Sequence, residues 1–313
     1  MTRTELNSHR HPTEASRFWL TMLVIVPTII AGAALVIFLS GIPLLVVAFG
    51  VFGVWVTTKL LIARFTRNLV QVSEVNFPEV DTAIQECKAK FAYRKPVQAY
   101  VYEGNGYNAL LIPLLQRKVM LLDADVLSSA RSSNEIKWLV GRFVGALASK
   151  HYRFMWMQVV LDSVERLWVF NLLLYPYERA VMKSGDQLGL LAVEGDIESA
   201  NLALVKTMTG ADIAERVQLA GLRDQSGQID GSFFAWLAKC LSPTPHTIGR
   251  IENLVRHARL HYPEQAAAFL AAHGMPETPR VTASTAGRPM SLAPAGTVQG
   301  APPNSDTALP GKA

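Results

Sequence analysis

Two long apolar runs near the start of the chain constrain its fold more than any other feature. Residues 18–39 contain no charged side chain, and residues 42–63 contain only Lys59. A helix needs about 20 predominantly apolar residues to cross the hydrocarbon core of a bilayer, and each run supplies that length. Ser40 and Gly41 leave room only for a tight turn, so residues 18–63 are expected to form a transmembrane helical hairpin with both ends on one side. A signal peptide has a shorter apolar core and a small-residue cleavage site, and a second span does not follow it at once. The segment therefore reads as a retained anchor. Arg3, Arg10 and Arg17 precede the first run, Lys59, Arg64 and Arg67 close the second, and the turn carries no Lys or Arg. The positive-inside bias then places the N-terminal segment, 1–17, and the remainder of the chain in the cytoplasm. The expected location is an inner or plasma membrane, multi-pass, with the lipid bilayer as the first partner. Trp19 and Trp55 fall where interfacial aromatics belong.

A chain of 313 residues has room for one cored domain beside the hairpin. The positive mean hydropathy of +0.20 is explained by the two apolar runs. Cys87 and Cys240 are the only cysteines and form no CxxC pair, which argues against a disulfide framework and against a thiolate zinc site. The sequence pI of about 9.2 raises nucleic acid as a partner. However, much of the basic surplus flanks the hairpin, where anionic headgroups attract it, and no basic helix is interleaved with stacking aromatics. Nucleic acid is excluded on that ground.

Residues 68–271 read as one α+β domain. A helix is expected over 78–91, then short β-rich strands over 97–102, 109–115 and 118–122 that make a small sheet. Ser132 and Glu135 stand in capping-box spacing before Ile136, Leu139, Val140, Phe143, Val144 and Leu147, the apolar stripe of a long core helix. Further helices are expected over 197–209, 211–222, 233–241 and 247–262. The apolar patch 168–175 is too short to span a bilayer and reads as buried core, with contact to the membrane surface as the alternative. From 274 to 313 the composition turns to Pro, Ala, Gly, Ser and Thr, so a disordered tail is expected there.

The helix sequence NEIKWLVGRFVGALASKH, from Asn134 to His151, resembles the active-site helix of the HtpX-like membrane zinc peptidases, which include the CAAX prenyl endopeptidases. That helix commonly reads E-L-x-x-V-L-G-H-E-L-G-H-x-x-x-x-H, and Glu135, Gly141, Gly145 and His151 fall on matching positions. Tyr107-Asn108-Ala109 resembles the Asn-Ala pair on the strand beside the family's cleft. Arg179, Ser184, Asp186 and Gly189 follow its R-x-x-E-x-S-A-D-x-x-G pattern, and Pro245 with Arg250-Ile251 resembles its H-P-x-x-x-x-R-I element, Thr244 standing for the His. The resemblance covers about 97–260 and implies a zincin-like peptidase-type domain behind a membrane hairpin.

Zinc chemistry in such a domain needs two His ligands one helical turn apart, a Glu between them to activate water, and a third ligand from a later helix. Carried over residue by residue, the His positions are Arg142 and Ala146, the catalytic Glu is Phe143, and the ligand Glu is Met182. None can serve, so no catalytic residue, metal site or cofactor is expected, although zinc is the family's metal. Phe143 belongs to the apolar stripe and reads as core. Arg142 is expected to fill the vacated place, either by pairing with Asp186 or as a solvated cleft residue, and Asn108 reads equally as a peptide-binding or an ordinary edge-strand residue. His151 reads as satisfied or exposed, and His257 with His261, at i,i+4 spacing but lacking a third partner, as a surface pair.

The function expected is that of a membrane-anchored pseudopeptidase, not an enzyme, binding a protein client or partner peptidase in membrane protein quality control through Asn108, Arg142 and Asp186. Two alternatives stand beside it. One is an active metalloendopeptidase using atypical ligands such as His151, His246 or Glu194, and the other is a structural membrane subunit.

Overall fold

The computed structural model describes residues 2–40, 44–67, 69–103, 109–114, 117–151, 168–222, 237–238, 240–242 and 244–274. A short helix α1 (Arg3–Ser8) leads into α2 (Glu14–Ser40) and α3 (Leu44–Arg67). After β1 (Val70–Gln71) come α4 (Pro78–Lys90), β2 (Gln98–Tyr102), β3 (Ala109–Leu114), β4 (Arg117–Asp123), α5 (Ala124–Ser128) and α6 (Ser133–Ala148). The chain then continues through α7 (Trp168–Ala192), α8 (Ile197–Thr209), a 3-10 turn at Ala214–Arg216, α9 (Thr247–His261) and α10 (Pro263–Ala272). The architecture is helix-rich and mixed.

The sheet has the order β1-β2-β4-β3, with β2 and β4 parallel and β3 antiparallel to β4 at the edge. Side chains alternate by face as a pleated strand requires. Ala99, Val101, Met120 and Leu122 join the core shared with α4, α6 and α7, whereas Tyr100, Val119 and Leu121 form a small cluster on the opposite face. The three strands and the helix 78–91 expected from the sequence lie within a residue or two of these elements.

α6 is the central helix. Its N-cap Ser132 accepts a hydrogen bond from the Glu135 amide at 3.3 Å. The capping box is only half closed, because the Glu135 side chain is drawn elsewhere. Its carboxylate accepts from the Arg131 amide at 3.0 Å and from Lys206 Nζ of α8 at 2.5 Å, in a pair with both side chains almost wholly buried. One side of α6 meets the sheet and α4 through Ile136, Val140, Phe143 and Val144. The other meets α8, and its Trp138 and Leu139 belong to the core that α8, α9 and α10 share. α7 packs along α6 and contributes Leu188 and Ala192 to the first core and Leu190 to the second.

Glycines set the approach of these two helices. A Cβ on Gly141 would lie 2.3 Å from the Ala192 Cβ, and one on Gly145 would lie 2.7 Å from the Leu188 Cβ. Gly141 therefore stands in mid-helix despite a propensity penalty of about 1 kcal/mol relative to Ala.

α2 alone meets the length and hydropathy needed to cross a membrane, over Glu14–Leu35, among the described residues; α3 carries a shorter apolar stretch, Ala48–Thr57. The turn expected at 40–41 borders residues 41–43, which lie outside the described set. Glu14, Thr21 and Ile25 are buried where α2 packs on α7, a helical stripe of i, i+7 and i+11. From Val26 onward α2 exposes Ile30, Leu35 and Phe38, the last 85% accessible. Exposed apolar surface of this extent is favoured in hydrocarbon over water, by on the order of 10 kcal/mol for the helix.

The sequence and the structure part company over 211–222. In place of one helix there is a turn, the 3-10 segment, and helical residues only at 219–222. Ala214 and Leu219 are buried in the core of α8 and α9, so tertiary packing outweighs the helical spacing. Most of 233–241 and all of the tail from 275 lie outside the described residues. The patch 168–175 begins α7, and Tyr175 is buried.

Replacing Gly141 by Ala is expected to destabilise the protein by about 2 kcal/mol through overpacking. Adding Ala192→Gly to that variant should restore much of the loss, read as paired thermal melts of the full chain in detergent. A neutral Gly141→Ala would contradict the close approach.

Candidate functional site

Helix periodicity places Arg142 and Ala146 one turn apart on α6, and Met182, Asp186 and Gly189 on successive turns of α7. The two rows face each other across the seam made close by the glycines. Asp186 is completely buried. Its carboxylate accepts two hydrogen bonds from α9, Arg250 Nε to Oδ2 and Nη2 to Oδ1, each 2.8 Å. From α6, Arg142 Nε lies 2.9 Å from Oδ1. The ion pair expected between Arg142 and Asp186 is present, and Arg250 is a second cation that the sequence reading did not assign. Burial works against the charge on Arg250, but the Asp186 carboxylate more than offsets this and raises its pKa.

The rest of Arg142 is equally constrained. Its guanidinium carbon is 4.8 Å from the centre of the Trp138 ring and 5.9 Å from that of Phe143, cation–π distances. Gly189 leaves the room for this stack, since a Cβ there would fall 2.7 Å from Arg142 Cγ and 2.8 Å from Trp138 Nε1. Phe143 and Ala146 are buried, Phe143 within the core shared with the sheet.

These side chains do not fit zinc. Phenyl and methyl groups offer no lone pair, the Met182 thioether is a soft and weak donor, and the Asp186 carboxylate is held by two guanidinium groups. A dication placed here would meet a local surplus of positive charge.

A second polar cluster adjoins the first. Glu14, at the start of α2, is buried and takes a 2.5 Å hydrogen bond from Ser184 Oγ, two residues before Asp186. Arg10 donates to both of its oxygens. His151 Nε2 lies 3.1 Å from Glu14 Oε1, so this histidine is buried and partnered. The His11 amide donates to Ser184 Oγ at 2.9 Å, and Arg17 Nη1 donates to the Pro176 carbonyl at 3.0 Å. Residues 2–17 are thus built into the domain.

Asn108 lies outside the described residues, and Ala109 after it opens the edge strand β3. Arg179 Nη1 donates to the carbonyls of Cys240 at 3.3 Å and Ser242 at 2.8 Å, a tie from α7 to the segment before α9. The alternative ligands are dispersed. His151 binds Glu14, Glu194 pairs with Lys90 at 3.0 Å, and His246 is the residue before α9. The surface-pair reading of His257 and His261 needs correction: His257 is buried, and His9 of the N-terminal segment lies against both rings. No spacing rule links position 9 to position 257, so the sequence held no signal for this contact.

No family model, curated protein or solved structure matches this chain.

Substituting Arg250 by Met is expected to destabilise the protein by roughly 3 kcal/mol, because it strips a bidentate partner from a buried carboxylate. Arg142→Met should have a smaller effect, since Arg250 still holds both oxygens of the carboxylate. A double-mutant cycle of each with Asp186→Asn, followed by chemical denaturation, measures the two couplings.

Proposed function

We propose that this protein is a membrane-anchored, non-catalytic relative of the HtpX-like zinc peptidases, with a zincin-like domain that binds a protein segment instead of cutting it. The supporting observation is the side chain of Arg142. It stands where the resemblance puts a zinc ligand, and it is fixed there by Asp186 and by the Trp138 ring. A catalytic centre at this place needs a dication, a water and a general base. The residues present supply a cation, two apolar groups and a thioether.

The binding surface is the sheet edge. β3 pairs only with β4 among the described residues, and Asn108 immediately precedes it. An extended client segment adds to such an edge by main-chain hydrogen bonds, with side-chain pockets giving selectivity. Both α2 and α3 enter the bilayer as a hairpin in this reading, with the domain on the cytoplasmic face. The client is then a membrane protein or a partner peptidase presented near that face.

Purified full-length protein, incubated with casein and supplemented with zinc, is expected to give no cleavage that a chelator such as 1,10-phenanthroline suppresses. A photo-crosslinking residue at Asn108 should capture a protein partner in cells. Chelator-sensitive cleavage would reinstate an active metalloendopeptidase. Crosslinks confined to α3 or the C-terminal tail would favour a structural subunit.

A further inference from the structure

The ring contacts of His9, His257 and His261 have no part in the groove just described. Helical spacing puts His257 and His261 one turn apart in the final turn and a half of α9, and His9 ends α1. One ring nitrogen from each can be chosen so that all of these lie within 4.8 Å of one another. His9 Nδ1 and His257 Nε2 are 3.1 Å apart, and the His9–His261 and His257–His261 ring centres are 4.3 and 4.4 Å apart. We propose that these three histidines form a binding site for a divalent first-row transition metal, zinc foremost, which clamps the N-terminal segment to α9.

The geometry carries the assignment. Two imidazole nitrogens that bind one tetrahedral zinc at about 2.0–2.1 Å are separated by roughly 3.3 Å. The His9–His257 pair is already near that separation. His261 is exposed, and a ring nitrogen of it lies within 4.8 Å of those of His9 and His257. Three imidazoles suit zinc, copper and nickel, and a water completes the fourth position. His257 and His261 also stand at the C-terminal end of α9, where the helix dipole favours a cation.

The site uses none of Arg142, Phe143, Ala146 or Met182 and is independent of the non-catalytic reading of the groove. Its consequence is mechanical. His9 lies five residues before Glu14 and the start of α2, so an ion here ties the approach to the apolar helix to α9.

The test is zinc binding by the full chain in detergent micelles, stripped of metal and then titrated with zinc against a chromophoric chelator, with metal content read by mass spectrometry. One zinc per chain is expected. His261→Ala, at an exposed position that leaves the core intact, and His9→Gln should each weaken binding by about 100-fold or more. Glu194→Ala, at an exposed position outside the site, should leave binding unchanged. Cobalt in place of zinc should give the visible absorption of a low-coordinate, nitrogen-ligated ion, lost in His261→Ala. Zinc well below one per chain, or binding that both histidine substitutions leave intact, would overturn the site.

Discussion

A carboxylate with no access to water must be paired, and Asp186 is paired from two directions. Arg142 reaches it from α6 and Arg250 from α9, while its own backbone belongs to α7. One buried anion thereby registers three helices, and those helices border both apolar cores. The glycine seam between α6 and α7 brings the backbones close enough for Arg142 to make this contact and still lie over Trp138. Packing and charge are therefore not separable here. The same close approach that buries the helices creates the dry pocket in which the ion pair has to be satisfied.

Much of the fold was legible from local pattern. The stripe from Ile136 to Leu147 marked α6, the β-rich runs marked three strands, and Pro78 and Ser132 marked helix starts, because periodicity and capping are written into neighbouring residues. The Arg142–Asp186 pair was legible too, through the vacancy that the family resemblance implied. What escaped were contacts between residues distant in sequence. Arg250 matched a motif position whose role needed the packing of α9 on α7, and His9 sits 248 positions before His257. Glu135 had the spacing of a capping box, but Lys206, on another helix, competes for its carboxylate. In each case a local rule was overruled by a partner that only the tertiary fold supplies.

Composition marks the N-terminal segment only as a short cytoplasmic lead-in, yet two of its polar residues, His9 and Glu14, are buried. Glu14 is surrounded by Arg10, His151 and Ser184, and Leu6 is part of the core built on the sheet. Removing water from Glu14 is tolerable because donors from three parts of the chain converge on it. The cluster also lies two residues along α7 from Asp186, so the segment and the groove share one rigid support.

α2 begins inside that cluster and continues as one helix to Ser40. A mount of this kind has no swivel. With the base of the helix locked by Glu14 and Ile25 and its far end clothed in apolar side chains, whatever medium surrounds the far end dictates the tilt of the whole body beneath it. In the membrane-anchored reading proposed above, the compass bearing of the β3 edge then follows the tilt of α2, and a change in bilayer thickness becomes a rotation of that edge.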